Sequence, residues 1–313
     1  MLRRLVAIVG PTASGKSAVA FELARRLGGE IVNADSRQIY RQMDIGTAKP
    51  SSEKRRVVRH HLFDICEPGE RYSLALFRRD ARKTFEAIWA RGSFPWIVGG
   101  SGQYVWSLLE DWSVPEVAPN PELRARLSAF ADDQGTAALH ARLQDVDPVA
   151  AERIDERNVR RVVRALEVHE ATGRPISEWQ QRGEPDFEYL IFGLEAERDE
   201  LDKRIGRRTR EMFEAGFVDE VRGLLDAGVG EDAPAMSSIG YAEVVRYLRG
   251  EVELEETIEA TAKATRRLAR RQLQWFRPSD ERIRWLRTVE DIELEANIFT
   301  GACTNALRGS SSW

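Results

Sequence analysis

Apolar residues fall along this chain in two rhythms: short unbroken runs, and longer stretches that recur every three or four positions. The run LVAIV at 5–9 closes on a glycine, and helical spacing follows at 17–27, so the chain opens with a strand, a turn and a helix. A second run, EIVNA at 30–34, ends at Asp35. The helical pattern at 74–90 leads into FPWIV at 94–98, a third strand. Short buried strands alternating with helices predict an α/β fold, with a parallel sheet covered by helices on both faces.

From about 120 to 181 the strand runs vanish and helix starts replace them: Asn120 before Pro121, Asp147 before Pro148, and Ser177 with Gln180 as a capping box. This stretch predicts an all-helical insertion. YLIFGL at 189–194 restores a strand, long amphipathic segments follow at 199–227 and 255–276, and IRWL at 283–286 reads as a last strand. The expected organisation is a first core part at 1–117, a helical insertion domain at 118–186 and a second core part at 187–299 with long C-terminal helices. The segment 300–313 is rich in Gly, Ser and Asn without a period, and is expected to be disordered.

With 313 residues, 42% hydrophobic and 31% charged, the chain can bury a sizeable core, which excludes fibrous and disordered classes. No apolar run reaches the roughly 20 residues of a membrane helix, and the first run is too short for an export signal. Cys66 and Cys303 offer neither a disulfide framework nor a cysteine zinc site. A cytoplasmic protein without membrane contact is therefore expected; a monomer is the default expectation, and the residues do not fix the oligomeric state. The net charge of −4 leaves any nucleic-acid binding to local basic faces.

Gly10, Pro11, Thr12, Ala13, Ser14, Gly15, Lys16 and Ser17 match the P-loop pattern GxxxxGK[ST] at every fixed position, between a strand and a helix. Glycines let backbone N–H groups curl around an anion, and the helix N-terminus adds positive potential. Lys16 supplies a point charge, and Ser17 a hydroxyl ligand for Mg²⁺. The sheet is accordingly P-loop NTPase-like. The loop holds linked phosphates, and both a nucleoside triphosphate and a prenyl diphosphate have them.

Asp35 follows the second strand, at the carboxyl edge of the sheet where open α/β folds bind ligands. Either it does chemistry there, or it caps the next helix or holds Mg²⁺ through water. Arg157, Arg160, Arg161 and Arg164 are spaced i, i+3, i+4, i+7, and Lys263, Arg266, Arg267 and Arg270 repeat that spacing. Each row predicts one basic helix face, with Trp275 and Phe276 near the second as candidates for base stacking. His60 and His61 lie near Cys66 but fit no common zinc spacing, and read as packed or surface residues.

The motifs GPTASGKS, NADSRQIY, MDIGTAKP, HHLFDI, FRRDA, IVGGSGQY, DPVAAERI, NVRRVVRALEV, SSIGYAE and ATRRLARRQLQWFR, in that order from about 5 to 286, resemble the tRNA dimethylallyltransferases. The resemblance implies that Asp35 takes the proton from an adenine amine that attacks a prenyl carbon. It implies that Thr12 hydrogen-bonds the diphosphate bridge or the reaction centre, and that Arg208 neutralises the leaving group. It further implies dimethylallyl diphosphate, Mg²⁺ and the anticodon stem-loop of tRNA as partners. The RNA contacts it implies are Asp35, Ser36, Arg37, Gln38, Ser101, Gly240 and Tyr241, with Arg157, Arg160, Arg161, Arg164, Arg266, Arg267 and Arg270 from the two rows. Ser101 stands where the family usually has threonine, and Gln103 replaces an apolar residue. No Cys/His zinc finger is present toward the carboxyl end, so the chain is similar to the bacterial branch. Three rivals stay open on residues alone: a P-loop small-molecule kinase, an adenylate isopentenyltransferase and a non-catalytic RNA-binding module.

Overall fold

The computed structural model describes residues 3–179, 181–286 and 289–301. Six parallel strands form one sheet in the order β3-β2-β4-β1-β5-β6: β1 Arg4–Val9, β2 Glu30–Asn33, β3 His60–His61, β4 Pro95–Val98, β5 Glu188–Leu194 and β6 Ile283–Leu286. Because side chains alternate across a strand, Val6 and Ile8 face one side of β1 and Leu5, Ala7 and Val9 the other, all at 0% exposure. An unbroken apolar run is what a strand covered on both faces requires. The strand β3 was not anticipated; the two histidines pair beside β2 at the sheet edge, and His61 Nε2 lies 2.6 Å from the Glu30 carboxylate.

Four helices precede the insertion: α1 Lys16–Leu27, α2 Ser52–Val57, α3 Leu74–Ala90 and α4 Gly102–Leu109. Five follow it in the alternating part: α10 Arg198–Glu214, α11 Phe217–Asp226, α12 Tyr241–Leu248, α13 Leu254–Trp275 and α14 Val289–Thr300. Ala20, Leu23 and Ala24 of α1 and Ile292 and Ala296 of α14 pack with Val6, Ile8, Trp96 and Phe192 of the sheet. Helix α3 packs on β2 and β4, burying Phe77, Ala81, Phe85 and Ile88. The amphipathic stretch expected at 199–227 is two helices, because Gly216 adopts φ 98° between them and breaks the ladder.

The chain packs as two units, Met1–Trp106 with Asp186–Trp313, and Ser107–Pro185. The second unit holds α5 Pro121–Gln134, α6 Thr136–Val146, α7 Pro148–Arg153, α8 Val159–Thr172 and α9 Ile176–Trp179 around a core that includes Leu127, Leu139, Leu143, Val162 and Val168. Asn120 and Asp147 cap α5 and α7 as expected, each accepting a backbone N–H three residues on. Ser177 is no cap: it lies inside α9, and its N–H and hydroxyl both donate to the Asp147 carboxylate. Gln180 lies outside the described residues, as do residues 302–313 of the tail.

Candidate active site

The loop ends of β1, β2 and β4 meet at the carboxyl edge of the sheet. In the P-loop, Ala13 (φ 63°) and Gly15 (φ 95°) take left-handed backbone, which turns the chain into the N-terminus of α1. Left-handed backbone strains alanine but not glycine. Lys16 is buried, and its ammonium donates to the Pro11 carbonyl at 2.6 Å. The Ser14 hydroxyl is buried without a hydrogen-bond partner in the protein. Inside a phosphate-loop sequence, that leaves the hydroxyl available to a ligand oxygen.

Asp35 sits one loop away. Asn33 braces that loop, its amide oxygen accepting from Asp35 N–H at 2.9 Å and its Nδ2 donating to the Asp35 and Leu62 carbonyls. One carboxylate oxygen of Asp35 accepts from Arg37 N–H at 2.9 Å, which fixes the side chain, and no helix follows for it to cap. Burial pulls the Lys16 pKa down to about 8, while the negative charge of Asp35 raises it and the Arg208 guanidinium lowers it further. Burial likewise pulls Arg208 below the ordinary guanidinium value, opposed by Asp35 and Glu211. Lys16, Asp35 and Arg208 therefore share one electrostatic field.

Helix α10 supplies Arg208 from the far wall of a cleft of about 480 Å³, lined by Ala13, Gly15, Arg204, Arg207, Arg208 and Glu211. Arg204 and Arg207 pair with Glu200 and Glu211 on their own helix, at 2.9 and 3.7 Å. Among the described residues no ion pair holds Arg208. Ser101, after β4, accepts from Ser36 N–H at 3.0 Å, so the residue beside Asp35 and the third loop are tied together. Gly99 and Gly100 permit this approach, because a Cβ on Gly99 would lie 2.1 Å from the Ala34 carbonyl oxygen.

Four expectations need correction. Tyr241 is 0% exposed, packed on Phe217 with its hydroxyl donating to Glu220, so its side chain is not offered to RNA. Gly240 is buried and its N–H donates to Glu243 as a helix cap. Phe276 is 0% exposed and belongs to the core beside Trp106, while Trp275 stays 37% exposed. The first basic row is broken, because α8 starts after its cap Asn158: Arg157 lies before the helix and pairs with Asp155, and Arg164 pairs with the buried Glu167. Arg160 and Arg161 remain exposed there; the second row, Lys263, Arg266, Arg267 and Arg270, lies wholly on α13, with Arg266 within 3.9 Å of Asp202.

Arg37 and Gln38 are committed in part. The Arg37 guanidinium donates to the Pro234 carbonyl and to the Ser237 hydroxyl, and Gln38 Nε2 donates to the Thr47 and Ala48 carbonyls. Gln103 is exposed on α4, a position where a polar side chain meets solvent at no cost. Three participants were missed. Tyr104 is buried, stacked on Phe77 at 3.7 Å, and its pKa is raised, mainly by burial with contributions from Tyr40 and Asp35. Glu220 accepts the three successive N–H groups of Asp44, Ile45 and Gly46, an internal anion in a backbone nest. Gln272 of α13 accepts the Thr12 N–H at 2.7 Å. Helical spacing does not separate it from its exposed neighbours, so no signal in the sequence marks it.

Among the described residues no group of three His, Cys, Asp or Glu side chains could hold a metal ion. The exposed Ser17 at the start of α1 offers one hydroxyl, which fits a Mg²⁺ that takes its other oxygens from a diphosphate and water.

Residues 38–279 match the profile of the IPP transferase family, and residues 3–64 match that of isopentenyl transferase. The chain belongs to the IPP transferase family. Among its relatives, the tRNA dimethylallyltransferase of Thermomicrobium roseum is 52% identical over 273 residues, covering 87% of this chain and 83% of the relative. That of Chloroflexus aurantiacus is 51% identical over 276 residues, covering 88% and 93%. The tRNA isopentenylpyrophosphate transferase of Bacillus halodurans superposes with a TM-score of 0.69 at 38% identity, over 99% of this chain and 100% of that one. A eukaryotic dimethylallyltransferase acting on tRNA superposes at 0.78 with 25% identity, over 99% and 80%. The parallel P-loop sheet is the fold these family members share. No helix among the described residues is long and apolar enough to cross a membrane.

Proposed function

We propose that this chain transfers the dimethylallyl group of dimethylallyl diphosphate to the exocyclic N6 amine of adenosine 37, just 3′ of the anticodon in tRNA. The supporting observation is the convergence of Lys16, Asp35 and Arg208 in one field, in a chain that belongs to this family. The C–O bond between prenyl carbon and diphosphate breaks as the N–C bond forms. The amine loses one proton to Asp35, and diphosphate leaves. An arylamine is barely acidic, so Asp35 accepts the proton as the bond forms, and Arg37 N–H keeps the carboxylate in place for that moment.

The residues Gly10 to Ser17 cradle the diphosphate: Lys16 and Arg208 offset its growing charge, and Thr12 hydrogen-bonds the bridge or the reaction centre. Ser17 would hold a Mg²⁺, which when bound would add charge neutralisation at the leaving group. Ser36, Ser101, Arg37 and Gln38 contact the RNA around the turned-out base, because a stacked adenine cannot present its amine to a carboxylate at a sheet edge. Arg160 and Arg161 in the helical domain, and Arg266, Arg267 and Arg270 on α13, track the phosphates of the anticodon stem-loop. The protein acts as a cytoplasmic monomer.

Incubation with labelled dimethylallyl diphosphate, Mg²⁺ and unmodified tRNA, followed by mass spectrometry of the nucleosides, tests the reading. Prenyl adenosine at position 37 with free AMP almost untouched is the expected result. Comparable rates on AMP would replace it with an adenylate transferase, and phosphate release from ATP without prenyl transfer with a kinase.

A further inference from the structure

The P-loop of this chain is held from outside as well as from within. Ala13 carries left-handed backbone, a conformation that strains an alanine and persists only where the surroundings fix it. Two contacts fix it. The Ala13 side chain packs against Leu201 and Ile205 of α10 and Ala269 of α13. One turn on from Ala269, Gln272 accepts the Thr12 N–H at 2.7 Å. A backbone N–H only donates, so the amide oxygen must face Thr12 and the amide nitrogen must face the other way. That nitrogen lies over Gly100, where a Cβ would come within 2.1 Å of it.

Gln272 is 6% exposed, on α13, and its amide meets both loops. It therefore touches the loop of β1 that carries Thr12 and the loop of β4 that carries Ser101, which in turn holds Ser36 beside Asp35. We propose that Gln272 is a positioning residue: it locks Thr12 to α13, so that the diphosphate cradle and the arginine helix α10 packed against α13 are set as one piece. Thr12 N–H is then withheld from the anion, and only the Thr12 hydroxyl is free to meet the substrate. This role deepens the prenyl-transfer reading and rests on it.

Gln272→Met removes the acceptor at nearly constant volume, and Gln272→Asn keeps the amide but is one methylene too short. Each variant is compared with the parent in kcat, KM for dimethylallyl diphosphate, KM for tRNA, melting temperature and calorimetric affinity for inorganic diphosphate. The expected result is a loss of about tenfold in kcat/KM for dimethylallyl diphosphate and a matching loss of diphosphate affinity, the size of one buried hydrogen bond. KM for tRNA stays within twofold. Parent-like constants overturn the role, as does equal loss for both substrates, or failure of both variants to fold, which would make Gln272 a stability residue alone. A parent that transfers no prenyl group would sink the activity but not this inference, because the diphosphate affinities of the three proteins still decide it.

Discussion

In the helical unit the Glu167 carboxylate, 1% exposed, accepts from Asn120 N–H, from both arms of Arg124 and from Arg164. At the sheet edge Lys16, 8% exposed, has a single carbonyl for its ammonium, and the buried Ser14 hydroxyl has nothing. Both clusters bury polar groups, but the one around Glu167 completes them with its own side chains and the one around Lys16 leaves them short. Burying a charge is costly unless it is paired, so complete pairing marks a group kept for architecture, and incomplete pairing marks a group kept for a ligand. The electrostatics follow: burial pushes Glu167 up, but Arg124, the Asn120 N–H and Arg164 together outweigh it and hold the carboxylate down at about 2, whereas burial drags Lys16 down to about 8.

The largest effect expected from this contrast is at Asp35. Asp35→Ala should lower turnover by roughly 10² to 10⁴ with tRNA binding retained, the usual reach of a general base. Single-turnover kinetics beside a filter-binding assay separates the two, and near-normal turnover would return Asp35 to holding its loop. In the helical unit the consequence is stability instead. Glu167→Ala should cost about 3 kcal/mol, the low end for breaking a buried pair, because Arg124 and Arg164 are 31% exposed and can turn to water. Thermal unfolding measures it, and an unchanged melting temperature would break the comparison at its other pole.

A smaller effect is a pH dependence of the cradle. The pKa of Lys16 lies near 8 rather than 10.5, so it is charged below that pH and increasingly neutral above it. Diphosphate favours the charged form. Affinity should therefore fall about tenfold between pH 7 and pH 9, with a proton taken up on binding at the higher pH. Calorimetry in buffers of different ionisation heat reads the proton directly, and a flat affinity would mean that Lys16 is not at the anion. Smallest are the surface arginines: Arg161→Ala and Arg267→Ala should each weaken tRNA binding a few-fold and reduce its salt slope by about one. Identical binding at low and high salt would make both faces solubility surfaces.

Sequence pattern reached the sheet because its strands are covered on both faces and read as unbroken apolar runs, LVAIV above all. It missed β3, since two polar histidines at a sheet edge carry no such run. Spacing placed Arg157 and Arg164 on one basic face, yet could not see that Asn158 would cap the helix between them or that Glu167 would claim Arg164. Asp35 and Lys16 were legible because strand ends and P-loops fix side chains through local backbone. Gln272 was not, because its partner Thr12 is 260 positions away and only the tertiary fold brings them together. The same holds for Tyr241, whose motif position suggested RNA while its ring fills a core.

The nest closed by Glu220 and the P-loop are two anion cradles in one unit, and they differ in ownership. Glu220 is tethered to the chain, so the loop at 44–46 is saturated at every solute concentration. On the proposed reading the P-loop borrows its anion from solution, and its cohesion is then a mass-action quantity that rises with the logarithm of free diphosphate. Local opening measured by hydrogen exchange should consequently slow at Thr12 to Ser17 as substrate is added, while Asp44, Ile45 and Gly46 exchange at the same rate throughout.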